Sequence, residues 1–523
     1  MIASDPAEPV IGCVTLFALN FFPNGSNCDT NFGYRLSETM RMEKVMLCLI
    51  RKNSPFGKTA KMKYYLTILI LWIQMHGCMP ANHMNVGDPG TTEYWLAQIL
   101  GRIHPLIFRE NTGTLEWTEL LGKSGGTTLG KHLALDPSLL PIVVGETNTN
   151  LFTGSLIGIQ DLIVAKYDSF KNRIWTKQLG AAGATLTLSR MTTDSAGNSY
   201  VLGYTTAAFG GPMSSGQDLF IVKFSVDGNP LWIKQAGPTG GSYFVNPLGI
   251  CVDTAGNVYA SGDSNGPFGG AYSATTNTFV AQFDSQGNQV WIKQFFVSGA
   301  NSNGGSIVCD ATSGSVYFTG WGGANFQTET APGIGGNDMF IFKYDSSGNR
   351  QFIAYQAEST KEILSGPIAT DRSGNIIVGA ESNADFGTGA TGVGYFGTVL
   401  KYNSSGTLLW GRQLGKDVAS SQTSVYDLRT DLAGNIFVTG ITNANLITGG
   451  SSSTGTNDVF FAKYNPNGDL QWVRQTGVSG GSIQGFGIVI DPEGTMYSVG
   501  HTNTPMNGAA LNGTQDLFLV KYR

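Results

Sequence analysis

The chain has 523 residues, of which only 13% are charged and 71 are glycine. The formal net charge of −5 gives no basic field that would attract a phosphate backbone, so the sequence excludes electrostatically driven nucleic-acid binding. Abundant glycine together with recurring Thr, Val and Tyr favours short strands joined by tight turns, and long helices are not expected.

Residues 62–78 have the features of an export signal. A basic start is followed by a short apolar run that ends at Ile73, and Gly77 then precedes Cys78. The run is much shorter than the roughly 20 apolar residues that a membrane-spanning helix needs, so it predicts a secretory signal. It resembles a lipoprotein signal peptide, which implies that residues 62–77 are removed and that Cys78 is lipidated. The alternative is an ordinary segment in which Cys78 is a free thiol.

The segment before this signal has no periodicity, and a signal peptide does not normally lie inside a chain. We therefore expect residues 1–61 to be an upstream extension of the reading frame, with Met62 as the physiological start. Residues 78–114 would then form a tether between the lipid and the rest of the chain.

One pattern recurs from residue 115 to the end. Most units read as an Asp-x-x-Gly-Asn turn, a strand that ends in Gly, an Asp-x-Phe-x-Val-Lys-Tyr strand and a Trp-x-Lys-Gln strand. Short alternating runs bounded by turn residues predict four antiparallel strands per unit, which we label A to D. Radial repetition of such a sheet predicts a propeller blade. The turn Asp returns every 57 to 61 residues, at Asp136, Asp194, Asp253, Asp310, Asp371, Asp431 and Asp491. We therefore predict an all-β, seven-bladed β-propeller over residues 115–523.

The two ends of the repeated region predict how the ring closes. Tyr522 ends a C strand, so the last unit lacks a D strand, whereas Trp117 lies in a D strand that precedes the first A strand. The missing strand and the extra strand are therefore the same strand. We predict that residues 115–121 pair with residues 516–522, which places both ends of the repeated region in one blade.

These units resemble the bacterial seven-bladed β-propeller repeat (SBBP) lipoprotein family over about residues 115–523. The resemblance is specific because the motifs recur in phase. It implies a secreted or envelope protein, and it carries no shared catalytic motif that could be transferred to this chain.

Residues that could bind a metal or act in catalysis have structural interpretations in this sequence. The Asp that begins most C strands is a lone carboxylate, whereas calcium needs about six to eight oxygen ligands, so no metal is expected. His132 and His501 lie within the repeats, and neither has a companion at ligand spacing. Cys251 and Cys309 precede the turn Asp of their units by two residues and one residue, so alternation points them to opposite sheet faces. We therefore predict two unbridged thiols and expect neither a cofactor nor catalysis.

The connections between strands B and C are long and rich in Gly, Ser, Thr and Asn. They emerge on one side of a propeller together with the D-to-A connections, and we call this side the long-loop face. Loops held by a rigid scaffold commonly carry binding residues. Residues that break the repeat are the better candidates, because folding explains those that keep it. The binding candidates are Tyr243, Phe244, Tyr272, Trp321, Glu358, Lys361, Glu362 and Tyr395.

The leading hypothesis is a monomeric binding or scaffolding module that engages a protein or glycan through the long-loop face. Lipid at Cys78 would tether it to the cell envelope, with the outer membrane favoured and surface exposure allowed. One alternative is a propeller enzyme such as a lyase, glycosidase or quinone oxidoreductase. It would need carboxylates, His or Arg converging at the channel mouth, and no such cluster is visible in the sequence. Another alternative is a structural envelope protein without a discrete ligand.

Overall fold

The computed structural model describes residues 113–523 except 153–154, 271, 273–275, 311–313, 331–332, 388, 390–391, 448–454 and 493. The proposed upstream extension, the signal, Cys78 and the tether up to residue 112 lie outside the described residues. Within the described part of the chain, no helix is long and apolar enough to cross a membrane.

The described residues form 28 strands in seven four-stranded antiparallel sheets, as predicted. The first strand, β1 (Leu115–Leu121), is the D strand of blade 7. Blades 1 and 2 are β2 (Thr128–Leu135), β3 (Pro141–Thr147), β4 (Asp161–Tyr167), β5 (Arg173–Leu179), β6 (Leu186–Thr193), β7 (Ser199–Thr205), β8 (Asp218–Phe224) and β9 (Pro230–Ala236). Blades 3 and 4 are β10 (Val245–Val252), β11 (Val258–Ser264), β12 (Asn277–Phe283), β13 (Gln289–Phe295), β14 (Ser302–Cys309), β15 (Val316–Gly322), β16 (Asp338–Tyr344) and β17 (Arg350–Gln356). Blades 5 to 7 continue with β18 (Ile363–Thr370), β19 (Ile376–Ser382), β20 (Phe396–Tyr402), β21 (Leu408–Leu414), β22 (Thr423–Thr430), β23 (Ile436–Thr442), β24 (Asp458–Tyr464), β25 (Leu470–Thr476), β26 (Ile483–Ile490), β27 (Met496–Thr502) and β28 (Asp516–Tyr522).

Strand A is the innermost strand of every blade, because the A strands of successive blades contact one another around the ring. The apolar core lies between the blades, at interfaces that we call seams. Each of the seven buried apolar clusters combines residues of two neighbouring blades. A blade therefore buries its two faces against its neighbours, and no blade has a core of its own.

The ring closes by the predicted pairing of the two ends of the repeated region. β1 pairs antiparallel with β28, with Leu121 opposite Leu517 and Trp117 opposite Lys521. β28 therefore lies between β27 and β1 in the order β1-β28-β27-β26. This pairing supplies blade 7 with its D strand.

The repeated tryptophans join neighbouring blades at the outside of the ring. Trp232 Nε1 donates to the carbonyl oxygen of Ser285 in the next blade at 3.3 Å. Trp117 of blade 7 makes the same bond to Ser169 of blade 1, also at 3.3 Å, so the closing seam is fastened like the others. Phe352 occupies this position in blade 4 and has no N–H to donate.

The repeated Asp and Gln hold the long loops against the blades. In blade 2, Gln235 accepts the backbone N–H of Phe209 at 2.9 Å and donates to Asp218 at 3.0 Å. Asp218 also accepts the backbone N–H of Ser214 at 2.7 Å. Phe209 packs edge-on against Phe220, with ring centroids 5.1 Å apart. The C-strand Asp is therefore a loop fastener in this blade, as the sequence indicated.

The prediction of two unbridged thiols is wrong. Cys251 of β10 and Cys309 of β14 form a disulfide across the seam between blades 3 and 4, with Cα atoms 5.6 Å apart. Alternation does place the two side chains on opposite faces of their own sheets. In a propeller, however, the front of one blade packs on the back of the next, so opposite faces of neighbouring sheets meet.

We expect the Cys251→Ser/Cys309→Ser variant to unfold more easily than the wild type. The disulfide closes a loop with a sequence separation of 58 residues. Loop-closure entropy for such a length corresponds to about 4 kcal/mol of unfolding free energy. Urea unfolding with and without reductant would measure the effect. The variant is the control, since reductant should lower the midpoint of the wild type and leave that of the variant unchanged.

Candidate functional site

Each innermost strand carries a β-bulge that directs one residue toward the central channel. The pairing of strands A and B shifts register at the same place in all seven blades. One residue at each shift is partly exposed although most of its neighbours are buried. Because strand A has no strand on its inner side, this exposure is to the channel, and bulges commonly re-aim side chains at functional sites. In six blades this residue has the same offset, and we call these six the channel ring: Lys131, Ser189, Leu248, Gly366, Tyr426 and Phe486. In blade 4 the same offset is occupied by Gly305, which is buried.

An ion network spans the channel one residue further along strand A. Asp427 of blade 6 accepts hydrogen bonds from Arg190 of blade 2 at 3.3 Å and from Arg429 at 2.8 Å. His132 of blade 1 contacts the same carboxylate through Nε2 at 3.3 Å. The backbone N–H of Ile488 in blade 7 completes the set at 2.9 Å. These residues, which we call the ion network, link blades 6, 7, 1 and 2.

The centre of the ion network is buried, and two Arg side chains face its single carboxylate. The side chains of His132 and Asp427 are only 3% and 1% exposed. Burial alone would raise the pKa of Asp427, but the charges of Arg429 and Arg190 lower it well below its ordinary range. Burial lowers the pKa of His132 to about 4, so this ring is neutral near pH 7. Its Nδ1 accepts the backbone N–H of Met191 at 3.4 Å, which leaves the proton on Nε2 facing Asp427.

A second ring lies nearer the long-loop face. The penultimate residue of strand B is different in nearly every blade, although the residues around it repeat. These residues, which we call the mouth ring, are Glu146, Tyr204, Asp263, Trp321, Glu381, Ile441 and His501. Their side chains include two Glu, one Asp and one His, where the sequence pattern alone showed no convergence.

Acidic members of the mouth ring reach across a seam to the next blade. Glu146 accepts the backbone N–H of Leu188 in blade 2 at 3.0 Å and pairs with Lys131 at 3.0 Å. Burial raises the pKa of Asp263 to about 7, although Asn246 and the backbone N–H of Gly304 both favour its ionised form. No group of three or more His, Cys, Asp or Glu in the described residues is arranged to hold a metal ion.

Two of the predicted binding residues form an aromatic pair. The hydroxyl oxygens of Tyr243 and Tyr272 are 3.2 Å apart, and their rings meet edge to face at 5.9 Å. Both rings are half-buried on the long-loop face. Phe244 is also half-buried, and its backbone N–H donates to Asn265 at 2.8 Å. The structure therefore brings together the candidates that precede and follow β11.

The remaining loop candidates meet between blades 4 and 5. Tyr395 donates a short hydrogen bond to Glu362, which also accepts from Asn337 at 2.8 Å. Glu358 accepts the backbone N–H of Asp385 at 2.9 Å. Lys361 is half-buried beside them. These carboxylates hold the loops in place, and Tyr395 is the aromatic surface that they position.

Trp321 lies within β15 and belongs to the mouth ring, whereas we had expected it in a loop. Sequence reasoning missed the other members of both rings and the ion network. The available signal was the position in the repeat. The residue directly after the strand-B glycine, and one residue near the middle of strand A, differ from blade to blade at a fixed offset. Such positions are visible only after the units have been aligned.

A profile of the family described as beta-propeller repeat, SBBP, matches residues 174–210, 231–269, 409–447 and 471–505. Each match begins in a D strand and runs through strands A and B of the next blade. The chain contains SBBP β-propeller repeats. The matched segments leave out blade 4, where Phe352 and Tyr355 replace the usual Trp and Gln.

No curated protein matches this chain in sequence. Among solved structures, it is similar to a protein of unknown function from Dyadobacter fermentans, at 7% identity and a TM-score of 0.42, over 79% of this chain and 99% of that one. A protein of unknown function from Bacteroides caccae has 11% identity and a TM-score of 0.33, over 60% and 90% of the two chains. Prolyl oligopeptidase B from Galerina marginata has 9% identity and a TM-score of 0.36, over 72% and 46%.

We expect two buried carboxylates to affect stability in opposite directions. The folded-state pKa of Asp263 is raised, so its stabilising protonated form is lost as pH rises from about 4 through about 7. Asp263→Asn should therefore match the wild type at pH 4. At pH 8 it should be more stable by up to about 4 kcal/mol, at about 1.4 kcal/mol per pKa unit.

Asp427→Asn is the matched control. Because the pKa of Asp427 is lowered, its stabilising charge is present above about pH 4, and the variant leaves Arg190 and Arg429 without a counter-charge. We expect the unfolding free energy at pH 8 to fall by about 3–5 kcal/mol. Urea unfolding at both pH values would test the pair, and equal effects of the two variants at pH 8 would contradict the assignment.

Proposed function

We propose that this protein is an exported, lipid-anchored binding module of the cell envelope that engages its partner through the long-loop face. The binding role is supported by the position of the residues that differ from the repeat. Residues that keep the repeat join blades or fasten loops, as Trp232 and Gln235 do. Residues that break it, such as Tyr243 and Tyr272, lie on the long-loop face and around the channel mouth, although Glu146 and Glu362 there also make structural contacts.

The disulfide supports export independently of the signal. Disulfides persist in oxidising compartments and are rare where thiols are kept reduced. The bond between Cys251 and Cys309 joins two innermost strands at the centre of the fold. A protein that depends on this bond is suited to the envelope or to the outside of the cell, which agrees with the signal read at residues 62–78.

The ion network is the kind of cluster that an enzyme would use, so it bears on the alternative of catalysis. Its His and Asp are almost completely buried, and the Asp has five protein contacts, with Arg190, Arg429, His132 and the backbone N–H groups of Leu428 and Ile488. A catalytic base needs a free lone pair within reach of substrate. The arrangement favours bracing over catalysis, and we therefore propose a binding role.

Lipidation predicts a defined mature amino terminus. We expect the N-terminal peptide isolated from the native source to begin at Cys78 and to carry a diacylglycerol and an amide-linked acyl chain. Cys78→Ala should move the protein from the membrane fraction to the soluble fraction. Without Cys78 the acyl chains are not attached, so the protein loses its anchor in the bilayer. Recovery of a peptide from residues 1–61 would contradict the proposed start.

The binding face can be tested with aromatic substitutions on opposite sides of the ring. We expect Tyr243→Ala/Tyr272→Ala to reduce retention of the purified protein on delipidated envelope material by about tenfold, since buried aromatic contacts dominate many interfaces. Phe170 is 82% exposed in a C-to-D turn on the opposite face, so Phe170→Ala is the control and should not change retention. A larger loss of retention for Phe170→Ala than for Tyr243→Ala/Tyr272→Ala would mean that the binding surface lies on the face opposite the long loops.

A further inference from the structure

The charged residues of the long-loop face are gathered on one side of the ring. Seven B-to-C and seven D-to-A connections form this face, and nine of these fourteen contain no Asp, Glu, Lys or Arg. Apart from Lys123, every charge lies in the four consecutive connections of this face between β15 and β22. We call these four connections the charged sector, and its charged residues are Glu329, Glu358, Lys361, Glu362, Asp385, Lys416 and Asp417. Five carboxylates against two lysines give the sector a formal net charge of −3.

Two tight turns of the charged sector have a side chain where the backbone favours glycine. Thr360 and Ser420 are the third residues of their D-to-A turns, with φ of 65° and 64°, and both are exposed. A positive φ is unusual for any residue other than glycine, and more so for a β-branched one. Backbone strain of this kind clusters at functional sites, so these turns mark the sector as a place where function shapes the sequence. Glycines with positive φ occupy the same turn position at Gly125, Gly183, Gly299 and Gly480.

Three exposed aliphatic side chains lie in the charged sector. Ile334, Val393 and Val418 are 54%, 54% and 55% exposed. Asp417 accepts the backbone N–H groups of Val393 and Gly394 at 3.0 and 3.2 Å. Because Val418 directly follows Asp417, these two bonds hold the two valines close together.

Lys361 connects the third aliphatic residue to this pair. Its carbonyl oxygen accepts the backbone N–H of Gly336, two residues after Ile334, at 2.7 Å. Its side-chain nitrogen lies beside Gly392, which directly precedes Val393. Lys361 therefore lies between Ile334 and Val393, and the three aliphatic side chains belong to one surface.

Three glutamates on this side of the ring are hydrogen-bonded by neutral groups. Glu358 accepts a backbone N–H at 2.9 Å. Glu362 accepts the hydroxyl group of Tyr395, and Glu381 of the mouth ring accepts the amide of Gln422 at 2.9 Å. None of the three glutamates forms an ion pair with another described residue. The surface thus combines aliphatic side chains with negative charge that lacks a cationic partner.

This combination limits the chemistry of a partner. A nucleic acid or an anionic membrane surface would be repelled by the net negative charge. A neutral ligand would cover the three glutamates without supplying a counter-charge, which costs free energy. A polypeptide can place aliphatic side chains and Lys or Arg within a few residues of one another, so it can satisfy both features at once.

We propose that the charged sector is a docking surface for a basic segment of a partner polypeptide. The aliphatic side chains of that segment pack on Ile334, Val393 and Val418, and its Lys or Arg side chains pair with the three glutamates. This inference rests on the proposed binding role of the long-loop face, and it names the partner class and the place on that face.

The apolar part of the surface can be tested with the purified full chain and a panel of labelled 15-residue peptides that combine Lys or Arg with Val, Ile or Leu. Fluorescence anisotropy would compare each peptide with two counterparts, one with Glu for its basic residues and one with Ser for its aliphatic residues. We expect at least one basic apolar peptide to bind more tightly than both counterparts. Val393→Ser/Val418→Ser should weaken that binding about tenfold, because two apolar contacts are lost. Ile157→Ser/Ile159→Ser is the matched control, since these residues are 50% and 63% exposed in blade 1 of the same face, and binding should not change.

The charged part has its own pair of variants. Glu362→Gln keeps a hydrogen-bond acceptor for Tyr395 and removes the charge, so it should weaken binding about fivefold at 50 mM NaCl. Binding by this variant should also depend less on salt than binding by the wild type, because one screened ion pair is absent. Glu329→Gln makes the same change in net charge, but Glu329 already pairs with Arg350 at 2.6 Å, so this control should bind like the wild type.

The outcomes separate this inference from the proposed function. If no basic apolar peptide binds more tightly than its counterparts, the partner class is overturned, while retention on envelope material can still support the binding module. If peptides bind and Val393→Ser/Val418→Ser has no more effect than its control, the docking surface is wrong. If Tyr243→Ala/Tyr272→Ala also leaves retention on envelope material unchanged, the binding role of the long-loop face fails as well.

Discussion

The fold depends on one constraint, which is that every blade must bury both of its faces against a neighbour. The seven buried clusters lie in the seams, so an open ring would expose the apolar faces of its two end blades. Pairing of β1 with β28 removes that exposure by making blade 7 from both ends of the repeated region. Closure is therefore a condition for stability, since no blade has a core that would let it fold alone.

The ion network strengthens the part of the ring where closure takes place. Its members come from blades 6, 7, 1 and 2, so it spans the blade that contains both ends of the repeated region. Gly487 of blade 7 leaves room for His132 to approach, because a Cβ atom at this position would lie 2.8 Å from Leu133 and 3.3 Å from the Cα of His132. Burying charged or polar side chains costs free energy unless each has a partner. Here Asp427 contacts the other three side chains, Arg190, Arg429 and His132. The network is thus an inner brace opposite the tryptophans that join blades at the outside.

The sequence predicts whatever is repeated, and it does so for a physical reason. Seven copies of the turn Asp and of the strand-C aromatic, and six of the strand-D Trp, occur in phase because each solves the same local packing problem. The seven blades, the closing strand and the loop-fastening role of residues such as Asp218 follow from that regularity. Contacts made once have no such signal. Arg429 and His132 are 297 residues apart, and only the ring geometry brings them together.

The cysteine prediction failed for an equally physical reason. Alternation along a strand correctly predicts on which face of the sheet a side chain lies. Whether two cysteines can meet also depends on what packs against that face. For a single sheet, opposite faces are far apart. For sheets stacked around a ring, the opposite faces of neighbours are in contact, and Cys251 meets Cys309. The register shifts of strand A are also invisible in the sequence, so the residues that line the channel could not be distinguished from their buried neighbours.

Blade 4 shows how such a ring can change its chemistry without losing its shape. Phe352 lacks the indole donor of the repeat, and Tyr355 replaces the strand-D Gln, yet Tyr355 still donates to Asp338, and its hydroxyl lies 3.4 Å from the carbonyl oxygen of Ala324. The seam between blades 3 and 4 contains the disulfide, which links the innermost strands of these two blades. That seam keeps its indole bond, from Trp291 to Ser346, and the donor lost at Phe352 belongs to the other side of the blade, in the seam with blade 5. The same blade contributes Trp321 to the mouth ring, so the part of the propeller that departs most from the repeat also places the largest side chain in that ring.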